Sequence, residues 1–245
     1  LALWGCSVEM TSSVLRNNTC SVFGGGLYSS EGTLKTHEVH WHGNRANVGA
    51  GYYIEGATDV TIEGGLFEHN VATAGGGGAG YSRGPSASLH FVTLDSVIVR
   101  RNSAAGYGAG IYSQLFSTLT LRGCTFEDND TRGFRELGHG GVAVTGPVFG
   151  RIFVHDSHFL RNRCTGSFGC YASALFAVGS LSMTVQRSSF VGNSGRLGTL
   201  VALITREVMV TNSTFEANTV EVGGAIWNTE SAVSLRGVTV RGNHA

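Results

Sequence analysis

Nine times, at intervals of 25 to 33 residues, the chain repeats a large apolar residue, two variable residues and then asparagine. The asparagines are Asn17, Asn44, Asn70, Asn102, Asn129, Asn162, Asn193, Asn218 and Asn243. Three positions ahead of each stands Val14, Trp41, Phe67, Val99, Phe126, Phe159, Phe190, Phe215 or Val240. A fixed slot with variable spacing between slots describes a stack of similar units whose connections differ in length. The repeat runs nearly end to end, so residues 1–245 read as one domain, although length alone would allow two.

Aligned backwards from the large apolar slot, the units share a second pattern. Seven residues earlier stand Leu34, Val60, Val92, Leu119, Ile152, Met183, Val208 and Val233. Five earlier stand Thr36, Ile62, Leu94, Leu121, Val154, Val185, Val210 and Leu235, and two earlier a smaller residue such as Val39, Cys124 or Ser157. Alternation with period two predicts strands, and the break in phase between the two runs predicts a bend. The first unit fits less well, with Ser7 and Glu9 in the apolar columns, which suggests a partial cap. Glycine-rich stretches such as Gly108-Ala109-Gly110-Ile111 follow the asparagines and suit tight corners.

Three short strands and three corners per unit predict an all-β fold: a single right-handed parallel β-helix of about nine coils. A coil cannot bury its own apolar face, but coils stacked about 4.8 Å apart build a continuous core. The asparagines are expected to sit in the left-handed conformation at a corner and to bond one another in an inward ladder. A leucine-rich repeat would need several leucines per unit, and period-two alternation excludes an α-solenoid. Thirty-seven glycines without a Gly-X-Y period exclude collagen.

The phrase resembles the FxxN and GGAI repeats of the polymorphic outer-membrane proteins, autotransporter-like surface adhesins. FxxN is literal at Phe67–Asn70, Phe126–Asn129, Phe159–Asn162, Phe190–Asn193 and Phe215–Asn218, and GGAI at Gly223–Ile226. The resemblance covers almost the whole chain and implies a cell-surface or secreted β-helix. The sequence starts at Leu1 without an initiator Met and stops at Ala245 in mid-repeat, so an excerpt or processed piece of a longer surface protein is expected.

Seventeen basic and seventeen acidic residues cancel without a run of like charge, which argues against nucleic acid and polybasic membrane contacts. Bilayer insertion is not expected, since no apolar stretch is long enough to span one. Of five cysteines, Cys164 and Cys170 could close one small loop and Cys6 and Cys20 another, as an oxidising compartment permits. Cys124 falls in an inward column and is expected to be a buried free thiol. Sequons occur at Asn17, Asn129 and Asn212; the first two are assigned to the ladder, so Asn212 is the expected glycan acceptor.

Pectin-lyase-like enzymes and glycoside hydrolases share this architecture, so convergent carboxylates and cations on the outward columns would mark a catalytic face. Four residues before the apolar slot, His37, Glu63 and Asp95 fall in one column, at a step that suits a retaining carboxylate pair. The same column continues through Arg122 and His155, as an ordinary exposed edge would, and no arginine is expected beside the trio. His40 and His42 are metal-ligand candidates with Glu38 and His69 nearby, and Trp41 between them should point inward. The column after the slot, which includes Glu68, Arg100, Glu127, Glu216 and Arg241, reads as a charge-balanced flank. Long spacings mark insertions at 75–88, 131–139 and 163–170, where Phe134, Arg135 and Glu136 are candidate contact residues.

The reading favoured by these features is a non-enzymatic extracellular or cell-surface rod, structural or adhesive, and without a cofactor. Its expected partners are other β-helix units met end to end, as in a filament, and surface glycans. The alternative is a carbohydrate-active enzyme, or a glycan-binding module, on the same fold.

Overall fold

The computed structural model describes residues 1–85, 90–114, 117–132, 143–145, 150–165 and 171–245. Among them every sheet is parallel, and each strand pairs with its counterpart one coil away. The second coil shows the plan, with strands Leu27–Ser30, Thr33–His37, His40–His42 and Arg45–Ala46. The third repeats it at Tyr52–Glu55, Asp59–Glu63, Leu66–Glu68 and Val71–Ala72. Three sheets of nine strands form the walls of a parallel β-helix, and a fourth of seven closes the corner after the asparagine. That fourth strand is absent from the three-strand expectation. It is two residues long, too short to show a period, and its inward side chain is small, as at Ala46, Ala72 and Ala104.

The large apolar slots line the inner face of the third sheet in register: Trp41, Phe67, Val99, Phe126, Phe159, Phe190 and Phe215 are all fully buried. On either side of Val99 the aromatic rings stack along the helix axis, with centroids 4.7 Å apart for Phe159 and Phe190 and 4.6 Å for Phe190 and Phe215. Burying each such ring is worth about 2–3 kcal/mol, and stacking adds roughly 1 kcal/mol. Sliding any coil by one residue would turn its ring to solvent, so these columns fix the register.

The asparagines do form a ladder, but its geometry differs from the expectation in two respects. First, the left-handed residue is the one before each ladder asparagine, as at Gly43 (φ 61°), His69 (φ 57°) and Asp128 (φ 52°). The asparagine itself turns inward, where Asn44, Asn70, Asn102, Asn129, Asn162, Asn193 and Asn218 are buried. Secondly, Asn17 is not a rung. Val14 pairs with the outward His40 and is exposed, whereas Leu15 pairs with the inward Trp41. Asn17 is therefore the left-handed corner residue (φ 55°), and Asn18 bonds Asn44 at 2.9 Å. Both frames satisfy the spacing; strand parity decides between them. In the corrected frame Val8 and Met10 pair with Leu34 and Thr36, so the first coil is an ordinary coil.

A serine ladder runs through the corner between the second and third sheets. The backbone N–H groups of Cys124, Ser157 and Ser188 donate to the hydroxyls of Ser157, Ser188 and Ser213 at 3.1–3.2 Å. Cys124 is a buried free thiol, as expected. Cys6 and Cys20 are also free, which corrects the predicted pair. They lie at different corners of the first coil, with strands Val8–Thr11 and Val14–Arg16 between them. Cys164 is disulfide-bonded, and Cys170, its predicted partner, lies outside the described residues.

One further column has no counterpart among the sequence expectations. On the outer face of the first sheet, Tyr28, Tyr53, Tyr81 and Tyr112 occupy consecutive coils. Tyr28 and Tyr53 are 7° from parallel, Tyr53 and Tyr81 are 9°, and Phe23 stacks on Tyr53 at 4.4 Å. The rings spend their faces on one another, which makes them a staple between coils; a sugar platform would need an open ring face.

Candidate functional site

Among the described residues, two groups of chemically able side chains bear on the candidate sites. The first is the predicted column on the second sheet. His37, Glu63 and Asp95 do sit side by side on successive coils, and Arg122 follows in the next. His37 Nδ1 lies 3.8 Å from Glu63, but Asp95 turns to Arg122 at 3.2 Å and accepts the Ser96 hydroxyl at 2.8 Å. An arginine thus stands beside the trio, contrary to expectation, because the next position of the same column is Arg122 and its guanidinium reaches back to Asp95. The Glu63 side chain is 60% exposed and that of His37 56%. The arrangement is a solvated, charge-paired edge.

The second group is built by the third sheet. Period-two geometry in His40–His42 sends Trp41 into the core and both imidazoles outward. Glu68 pairs directly with His42 across the coil boundary, and Arg100 with Glu68 across the next. His69 follows Glu68 in the left-handed corner conformation. Four bases therefore close around one carboxylate. Glu68 Oε2 lies 3.8 Å from His40 Nε2 and 3.6 Å from His42 Nδ1. Its other oxygen, Oε1, lies 2.9 Å from the Arg100 guanidinium and 3.6 Å from His69 Nε2.

The Glu68 side chain is only 12% exposed. Burial pushes its carboxyl up, but Arg100, His69 and His42 together outweigh that and hold it below its usual range. The His40 Nε2 atom is buried without a hydrogen-bond partner. One ring nitrogen from each of His40 and His42 and one oxygen of Glu68 all lie within 4.8 Å of one another, a donor set that suits a borderline transition metal. The sequence offered His40 and His42 as ligands but read Glu68 only as a flank charge. The signal was there: Glu68 falls in the His42 column one coil later. Glu38 turns away at the preceding corner (φ 52°) and meets His37 instead, at 4.0 Å.

In the rest of the flank, the Glu216–Arg241 pair forms as expected, whereas Glu127 is bonded from outside the column, by the corner residue Arg161. Glu216 meets Arg241 at 2.7 Å, and Arg161 bonds both Glu127 and Asp128. Asn212 is exposed at a left-handed corner (φ 48°), while the Asn129 amide is buried in the ladder. Phe134, Arg135 and Glu136 lie outside the described residues, as do parts of all three insertions.

A family model described as a right handed beta helix region matches residues 4–149. No curated protein and no solved structure matches the chain.

Proposed function

The chain belongs to the right-handed β-helix family, and we propose that it serves outside the cell as a non-enzymatic structural or adhesive rod. The observation that carries this reading is the asparagine ladder, which ties coil to coil through the described stack by paired amide bonds. Such a stack resists bending and presents long flat flanks, which suits scaffolding more than chemistry. The solvated state of the His37, Glu63 and Asp95 column supports the same side. The disulfide at Cys164 and the exposed sequon at Asn212 favour an oxidising, secretory route. The partners of such a rod would be other β-helix units, met through parallel edge strands, and surface glycans met along the flanks.

The test is incubation with a panel of neutral and acidic polysaccharides, reading new reducing ends and unsaturated products. Neither is expected. Turnover that disappears in Glu63→Gln would overturn the proposal in favour of a carbohydrate-active enzyme.

A further inference from the structure

We propose that His40 Nε2, His42 Nδ1 and Glu68 Oε2 form a binding site for a divalent transition metal of the zinc class, clipped across the boundary between the second and third coils. This goes beyond the rod reading and does not depend on it.

Three features of the geometry converge. The donor set is two imidazoles and a carboxylate, which matches zinc in a site that keeps a fourth position open. Tetrahedral zinc with bonds near 2.1 Å needs its ligand atoms about 3.4 Å apart. The two oxygen-to-nitrogen separations of 3.6 and 3.8 Å come close to that before any ion draws them in.

The carboxylate is also divided in its tasks. Arg100 and His69 face Oε1, and His40 and His42 face Oε2. Arg100 therefore orients the carboxylate without occupying the oxygen a metal would take, the role an outer partner plays in built metal sites. Finally, the backbone presents the donors rigidly. His40 and His42 flank Trp41, which is fully buried, and Glu68 follows Phe67, which is fully buried and stacks on Trp41 at 5.3 Å and 7°. Both strands are pinned from inside, so the outward side chains need only small rotations to close on an ion. The unpartnered buried Nε2 of His40 would gain its missing interaction there.

Because the ligands come from two coils, binding is linked to folding: the ion binds the stacked form and not the unfolded chain. Imidazole ligates only when neutral, so affinity should fall in acid.

The experiment is calorimetric titration of the untagged, metal-stripped chain with zinc chloride at neutral pH, with thermal melts of the same samples. One equivalent of zinc should bind and raise the melting midpoint. His42→Ala should weaken binding at least tenfold and abolish the shift. His37→Ala, which alters another exposed histidine on the same coil, should bind as the parent does. His40→Gln gives a second reading should His42→Ala fold poorly, since glutamine keeps much of the side chain's bulk. Absence of saturable binding overturns the proposal. So does undiminished binding in either His42→Ala or His40→Gln.

Discussion

An asparagine amide offers two donors and two acceptor positions, and each internal rung of this ladder uses all four. In Asn70, Oδ1 accepts both the backbone N–H and the amide of Asn44, while Nδ2 donates to the Trp41 carbonyl and to Asn102. Aspartate could accept but not donate, and glutamine would reach too far, which is why one residue type holds the slot. The first rung gives a sharp test of the frame. Asn18→Ala should lower stability more than Asn17→Ala, because Asn18 bonds Asn44 and Asn17 is an exposed corner; urea melts of the two variants compare them directly. His90 is a second residue with a measurable consequence. Burial lowers its pKa to about 4, against a weaker upward pull from its bond to the Ala57 carbonyl and from Asp59. The folded chain therefore holds the ring neutral while the unfolded chain binds a proton below about pH 6.5. This contribution is full above that pH and is lost as pH falls towards 4, to the extent of about 2–3 kcal/mol. Urea melts across that window should show a steeper loss in the parent than in His90→Gln; parallel slopes would count against the assignment.

At the scale of strands and columns, packing across coils decides which residues are tolerated. Gly80 faces inward between Tyr52 and Ile111, and the Tyr52 ring fills the space its side chain would take, with Tyr52 Oη 3.4 Å from the Ser82 hydroxyl. Gly80→Ala should cost roughly 1–3 kcal/mol by overpacking, and Tyr52→Leu should relieve part of that cost. Melts of the single and double variants measure the coupling; strict additivity would show that the two do not compete for space. The second and third sheets were legible in the sequence because each combines period-two alternation with a slot that recurs in every coil, as in Val60, Ile62 and Phe67. The fourth sheet was not, since a two-residue strand such as Val71–Ala72 carries no period. The tyrosine column was also missed, because alignment anchored on the asparagine drifts where glycine-rich connections vary in length. Anchored forwards from the glycines, Tyr28, Tyr53, Tyr81 and Tyr112 would have lined up. Two of the three residues of the histidine–glutamate cluster were visible as a His-Trp-His strand. Its carboxylate, 26 residues from His42, was legible only through the column the two share, where it read as a flank charge.

The molecule as a whole is a stack in which each coil touches chiefly its neighbours, so stability accumulates coil by coil. Its chemistry follows the same logic: ladders satisfy polar groups inside, paired charges decorate the flanks, and the histidine cluster bridges two coils. Expressed in a host that glycosylates, the chain should carry glycan at Asn212, which is exposed, and none at Asn129, whose amide is bonded to Asn162. Peptide mapping that found the reverse would invert the inward and outward faces assigned to those corners. The ladder is the element that joins the coils, and Asn162→Ala tests that role most directly. That change strips partners from the Asn129 amide and backbone, the Phe126 carbonyl and Asn193 Oδ1, all in the buried middle of the stack. Thermal and urea unfolding should show a loss of about 3 kcal/mol for Asn162→Ala, by leaving buried groups unpaired. An unfolding curve that matches the parent's would contradict the ladder's role in holding this fold together.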